Sequence, residues 1–584
     1  MNLSHPPSSP NPSRSARWRI ARRLLVALAA VATVIAFFYT VENWRGRRAW
    51  ENCRRALESK GEVLDWAAYI PAPVPDDQNF YKAPKMQEWF VRENWATPLP
   101  TNAPAPFVPA PRKDTDLVLA EVKVVASNGP PGSPAADAVL RSEDPAAREQ
   151  AAQLLREALG PCAFGARNCV FVARSLEQSK PLHLVVQADT VPTKTELTAF
   201  FPRNPLTNSA LAYSDTSYLR VDPAGSNTFR VLLKAPVYGA ADYLAWTGPL
   251  TADFDLVRKA LERPYARIDC DYERPFGIAI PNFVMVRNVA QILGQRAQSH
   301  LLLAQPEAAW RELALVHDLC EILQAKPAGK PLTLVGAMIN VAVTGLYAGV
   351  VQDGLRLHAW REPQLLAIER QLRETDLFAP VVEAMKEERA ATCRTFEMIT
   401  RAELAKLISS GGPVSKLALA WMPRGWFFQN MVTGSELGQQ WLEGSVDLTN
   451  RLVLARRISE TVRSVSLRLG HRSPYSFLVA ATLPNFVKAL QTAAMTQTLV
   501  NQAGLACALE RYRLAEGGFP ETLDALTPRF IEKLPHDLVG GQPLKYRRTD
   551  GRGYVLYSIG WNAKDDGGIT AKSREAGDWI WELR

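Results

Sequence analysis

The sequence predicts a mainly α-helical chain. It is expected to carry one N-terminal transmembrane helix, an α+β region, an antiparallel helical array and a small α+β module at the C-terminus. Three observations carry this expectation. Residues 24–41, from Leu24 to Val41, form eighteen positions without a charge. Residues 283–410 repeat apolar positions at helical spacing between short Pro/Gly joints. Alternating apolar segments between turn residues mark strands at 169–173, 182–187, 218–222 and 229–234, and again near the C-terminus.

The first element sets the topology. At about 1.5 Å per residue the apolar run reaches roughly 27 Å, close to a hydrocarbon core of about 30 Å, with Tyr39 and Trp44 placed for the interface. A cleaved signal peptide is the competing reading, but its apolar core is shorter and ends in small residues, whereas this run ends in Phe37, Phe38 and Tyr39. The near side carries Arg14, Arg17, Arg19, Arg22 and Arg23 without an acid, and the far side mixes Arg45, Arg47 and Arg48 with Glu42 and Glu51. The positive-inside rule then leaves residues 1–23 as a cytoplasmic tail and exports the rest. The expected location is the bacterial inner membrane, crossed once, with the bulk periplasmic.

Charge excludes one function class. Residues 1–55 hold ten arginines and two glutamates, so +8 of the formal +9 flanks the span and +1 is left for all that follows. Such basicity suits anionic lipid, and no nucleic-acid partner is expected. The seven cysteines make no CxxC pair and predict no zinc site. Cys162 and Cys169, seven apart around a Gly-containing loop, are a candidate disulfide in an oxidising compartment, against the alternative of two unpaired thiols.

Residues 42–143 read as a helix leaving the membrane and ending at Gly61, then a Pro-rich strap that lays Trp66, Tyr69, Phe80 and Tyr81 over another part of the chain. Residues 144–282 form the α+β region, with an amphipathic helix at 144–159 and the strands above, the last two as a hairpin around Pro223 and Asn227. His183 lies within an apolar strand and reads as structural.

Residues 283–483 are the array. Helices are expected at 283–304, from Pro306, at 332–360, after Pro363, and from Pro380 to about 408. Residues 331–352 are uncharged over twenty-two positions and contain Gly345 and Gly349, the spacing of a membrane helix-packing motif. Asn340, two threonines and flanking charged amphipathic helices favour a buried core helix over a second span. Residues 411–445 are aromatic-rich and poorly periodic, with Trp421, Trp426, Phe427, Phe428 and Trp441; core contacts are the favoured reading and a membrane or partner surface the alternative.

No GxSxG, HExxH, P-loop, GxGxxG or SxxK signature occurs, so no catalytic residue is assigned. His317 and Cys320 share a helix face without a third ligand. The adjacent carboxylate pairs Asp76–Asp77, Glu387–Glu388 and Asp565–Asp566 point apart on regular structure.

Residues 484–584 run from a long helix through GGFPETLDAL, LPHDLVGGQPLKY and YVLYSIGWNAKDDGG to GDWIWEL. This order of six short elements resembles the C-terminal globular part of type II secretion pseudopilins. The resemblance implies a helix packed on a small antiparallel sheet and a loop that in the major pseudopilins binds calcium, which places the candidate ligands at Asp565, Asp566, Asp578 and Asn562. A plain polar turn is the alternative. The chain departs from that family at its span, where RRLLVALAAV stands in place of a Phe-Thr-Leu-x-Glu signal, and in the distance of the helix from it. As a whole the sequence resembles large bacterial membrane-anchored proteins with these parts, a likeness that supplies no activity.

The expected function is a single-pass, exported interaction or scaffold protein at the cell envelope. Its partners are the lipid bilayer and a further protein, and it has no obligatory cofactor. The alternatives are an extracytoplasmic hydrolase of unrecognised type and an accessory of a secretion or pilus-like machine.

Overall fold

The computed structural model describes residues 14–92, 122–126, 136–140, 170–174, 182–187, 219–225, 228–233, 243–244, 247–323, 333–407, 421–470, 473–482, 486–549, 553–569 and 576–583. Cys162, Cys169 and the helix expected at 144–159 lie outside the described residues.

The chain opens with Arg14–Glu58 (α1), a 45-residue helix. Its apolar half is unburied, and it is long and apolar enough to cross a membrane. The second half continues without a break, buries Trp50 and Leu57, and stops at Gly61 in the left-handed region (φ +84°). The helix expected at 50–60 is thus the end of the apolar helix itself.

The strap behaves as its aromatics suggest. Two 3₁₀ turns and Met86–Phe90 (α2) bury Trp66, Tyr69, Phe80, Tyr81, Met86 and Phe90. Trp66 Nε1 donates to the Tyr272 carbonyl (2.7 Å) and Tyr81 Oη to that of Ile322 (3.3 Å). Val91–Arg92 (β1) then pairs antiparallel with Ile280–Pro281 far along the chain.

Six strands follow: Val122–Ala126 (β2), Ala136–Leu140 (β3), Val170–Arg174 (β4), Leu182–Gln187 (β5), Leu219–Gly225 (β6) and Thr228–Leu233 (β7). They form an antiparallel sheet in the order β3-β2-β4-β5-β7-β6, with a bulge between Pro223 and Gly225. The last four are at the expected places. The first two come from the stretch read only as strap.

The array begins with Thr251–Leu261 (α3) and, beyond Ile280–Pro281 (β8), comprises Phe283–Leu302 (α4), Pro306–Leu319 (α5), Leu334–Arg356 (α6), Glu362–Glu374 (α7), Phe378–Met398 (α8) and Arg401–Leu407 (α9). Local sequence fixes the helix starts. Asn282 caps α4 by accepting from Met285 N, Pro306 occupies the first turn of α5, and Thr333 caps α6 through Gly336 N (3.0 Å). Helix α6, the uncharged one, packs against α4, α5 and α8 and buries Val341, Tyr347, Ala348, Val351 and Leu355. It is the central helix of the array.

The poorly periodic stretch folds as Arg424–Ser445 (α10), a 22-residue helix. Neighbours on several sides, α1, α8 and the helices Ala455–Gly470 (α11) and Phe477–Thr482 (α12), remove the single apolar stripe on which periodicity depends. Val446–Asp447 (β9) and Leu452–Val453 (β10) form a two-stranded ribbon between α10 and α11.

Phe486–Glu516 (α13) leads to Lys545–Thr549 (β11), Gly553–Ser558 (β12) and Trp579–Leu583 (β13), an antiparallel sheet in that order. Gln502 Nε2 on α13 donates to the carbonyl of Trp579 (2.7 Å), joining helix to sheet. The opposite side of α13 packs on α6 and α7, so one helix serves both units. Among the described residues one large hydrophobic cluster runs from Trp50 through the array to Tyr554 and Trp581, and a smaller one gathers Trp66, Tyr69, Tyr272 and Ile278.

Candidate functional site

The most elaborated polar cluster lies where α1 leaves its apolar run. On a helix, positions 39, 42, 43, 46, 50 and 57 fall on one face, and that face carries Tyr39, Glu42, Asn43, Gly46, Trp50 and Leu57. It meets the N-terminal turn of α10. Gly46 and Gly425 stand backbone to backbone: a Cβ on Gly425 would lie 2.5 Å from the Glu42 carbonyl carbon and 2.9 Å from Asn43 Cα, and one on Gly46 would lie 2.6 Å from Gly425 Cα. Only glycine fits at either position.

Polar groups close the contact. Glu42, 7% exposed, accepts from Arg45 Nη1 (2.7 Å), Trp426 Nε1 (2.9 Å) and Tyr475 Oη (3.0 Å). Asn43 Oδ1 accepts the Gly425 N–H (2.7 Å), and the Tyr39 hydroxyl donates to the Trp421 carbonyl. The ring of Trp426 stands edge-on to those of Phe38 (6.5 Å) and Tyr475 (6.3 Å). Further out, Lys60 pairs with Glu443 (3.4 Å), and Arg389 of α8 bridges Glu62 and Gln439. The run from Leu24 to Val41 therefore joins the body through a fixed junction rather than a hinge.

The acidic loop is ordered by its own backbone. Asp578, 4% exposed, accepts the N–H groups of Asp566 (3.3 Å), Gly568 (2.7 Å) and Ile569 (3.4 Å). Asp565 accepts from Gly567 N (2.9 Å) and Tyr557 Oη (3.3 Å), and Asn562 donates to Asp566 (2.7 Å). All four sequence-predicted ligands thus share one loop, but among the described residues no group of three or more His, Cys, Asp or Glu side chains is gathered to hold a metal ion. In this arrangement the carboxylates serve as acceptors for turn amides, the chemistry of Asx turns.

Other candidates for chemistry come apart. Cys320 Sγ faces the Val316 carbonyl (3.8 Å) and Thr344 Oγ1 (3.7 Å), while His317 turns to Asp318 (3.3 Å) and the Tyr347 ring. Between α8 and α10 a cavity lined by Met385, Glu388, Arg389, Cys393, Asn430 and Ser435 leaves about 30 Å³ for water-sized occupants. That is room for a water or two and not for a substrate. Burial pushes the Cys393 thiol up to about 12, against the lowering effect of its contact with Ser435 (3.4 Å), so it stays a protonated, weakly nucleophilic thiol.

No protein family, curated protein or solved structure matches this chain. The sequence did not single out Glu42, Gly46, Gly425 or Tyr475. The available signal was an acid one residue beyond an apolar run, in helical phase with Tyr39 and Gly46; Arg45 is a local partner, but Trp426 and Tyr475 lie 384 and 433 positions away and no local pattern points to them.

Proposed function

We propose that the chain is a single-pass, membrane-anchored interaction protein, with residues 1–23 in the cytoplasm and the body outside the bacterial inner membrane. The bilayer is its first partner and a protein its second. The observation that carries the reading is the continuity of α1: the apolar half and the packed half are one helix, and Glu42, Asn43 and Gly46 lock its exit turn to α10. Tyr39 and Phe38, inside the apolar run itself, also reach Trp421 and Trp426, contacts that a cleaved segment would forfeit. The asymmetry of arginines about residues 24–41 supports the orientation. The small cavity between α8 and α10 is lined by a protonated Cys393 thiol and by no histidine, which supports a binding role over a hydrolase centred there. Crosslinking in native membranes followed by capture of the full chain tests it. A defined protein partner supports the proposal; hydrolytic turnover by a preparation with no partner overturns it.

A secretion-machine accessory is the second reading, supported by α13 lying on a three-stranded antiparallel sheet. Deleting residues 517–584 would uncover the buried face of α13 and confuse misfolding with loss of contact. Charge reversal at the exposed Lys564 is the cleaner test, and secretion unchanged by it counts against this reading.

A further inference from the structure

Resting on the anchor reading, we propose that the start of α10 and the exit turn of α1 form an interfacial collar that seats the helical body directly on the phospholipid surface. Trp421 and Trp44 are its aromatic contacts with the headgroup region. Depth is the first argument. Side chains on a helix lean toward its N-terminus, here toward the apolar run. The Tyr39 hydroxyl nevertheless reaches the Trp421 carbonyl, and the Phe38 ring reaches Trp426. Both partners therefore stand beside the last turn of the charge-free run and not above it.

Backbone satisfaction is the second argument. A segment entering the interface has little water for its amides, so they need partners within the protein. Gly425 N–H is taken by Asn43 Oδ1 (2.7 Å), Trp426 N–H by the Pro423 carbonyl (3.1 Å), and the Trp421 carbonyl by Tyr39, while Pro423 has no N–H to satisfy. The one acid at this level, Glu42, is covered by three donors.

The third argument is what is left exposed. Trp421 is 65% and Trp44 61% exposed, in a body whose Trp50, Trp66, Trp360 and Trp441 are all buried. Arg48 stacks on Trp44 (5.4 Å from the ring centre), and Arg47, largely exposed, pairs with Glu51 (3.0 Å). Tryptophan flanked by arginine at the end of an apolar helix is the composition of a headgroup belt, where the ring meets the acyl boundary and the guanidinium meets phosphate.

The test uses the full chain in vesicles of phosphatidylethanolamine and phosphatidylglycerol, with a fluorescent amino acid replacing Trp421, Leu448 at the turn beyond α10, or Ala29 within the apolar run. Trp421 is exposed, so its replacement leaves the core intact; the same probe at Trp44 is the second site should the first variant fold poorly. Expected are loss of emission with lipids brominated near the glycerol end of the chains and resistance to aqueous iodide at 421, and the reverse at 448. Iodide quenching at 421 equal to that at 448, with 29 still quenched by brominated lipid, overturns the collar and leaves the anchor standing. Iodide quenching at 29 overturns the anchor as well.

Discussion

Replacing Gly425 by alanine puts the junction between α1 and α10 under direct load. The new methyl group would sit 2.5 Å from the Glu42 carbonyl carbon and 2.9 Å from Asn43 Cα, both backbone atoms that cannot rotate away. Ordinary contact requires the helices to part by roughly 1 Å, and close-packed interiors absorb such strain at a cost of about 1–3 kcal/mol. The same separation stretches the Gly425–Asn43 hydrogen bond (2.7 Å) and the Trp426–Glu42 bond (2.9 Å). Weakening one neutral and one charge-assisted bond adds about 2 kcal/mol, and the helix propensity gained from alanine returns at most about 1 kcal/mol. The net expectation is a destabilisation of about 3 kcal/mol. Gly349→Ala is the matched control, because nothing lies within 4 Å of its would-be Cβ and the substitution is expected to be neutral or slightly stabilising. Denaturant unfolding of the full chain in nanodiscs reads both. Equal stability of Gly425→Ala and Gly349→Ala would refute the close backbone contact.

Three further outcomes follow from charged groups. Burial pushes the Glu388 carboxyl up, partly offset by the Leu334 N–H it accepts (3.1 Å). A raised carboxyl binds its proton more tightly in the fold than in the unfolded chain, so stability falls as pH rises from the unfolded value through the folded one. Glu388→Gln, which keeps the acceptor for Leu334, is expected to stabilise the chain at pH 7 and to lose that advantage as pH drops below the ordinary glutamate range; a pH-independent difference in melting temperature would contradict this. In the acidic loop, Asp578→Asn is expected to cost about 1.5–3 kcal/mol by weakening its bonds to three turn amides. Chelator is expected to leave the melting temperature of the unsubstituted chain unchanged, and a calcium-dependent rise that Asp565→Ala abolishes would establish the loop as a cation site.

The parts legible in the sequence were those governed by local rules. Apolar periodicity with Pro306 and Gly61 at the boundaries marked α5 and the end of α1, and the uncharged helix, read as core because charged amphipathic neighbours stood ready to cover it, packs against α4, α5 and α8. Two classes of feature escaped. Strands β2 and β3 hid in Pro-rich surroundings, although the alternation in VKVVA followed by GPPGSP was a usable hairpin signal. Helix α10 was obscured by glycines at 425, 434, 438 and 444, which lower helix propensity but admit α1, Val479, Arg389 and Thr461 at close range. The pair that mediates close backbone approach is Gly46 with Gly425, far apart in sequence, and not Gly345 with Gly349, whose spacing drew attention. Of the candidate site residues, Asp565, Asp566, Asp578 and Asn562 do share a loop, but which atoms their oxygens accept from is a property of the turn and not of the spacing.

Protease added to intact spheroplasts carrying an N-terminally tagged full chain tests the central claim most directly. Retention of α1 as a span with the body outside predicts loss of the body and survival of a membrane-bound tagged fragment ending shortly after Val41. A fully protected chain, or a soluble body whose new N-terminus lies within residues 24–41, would contradict it.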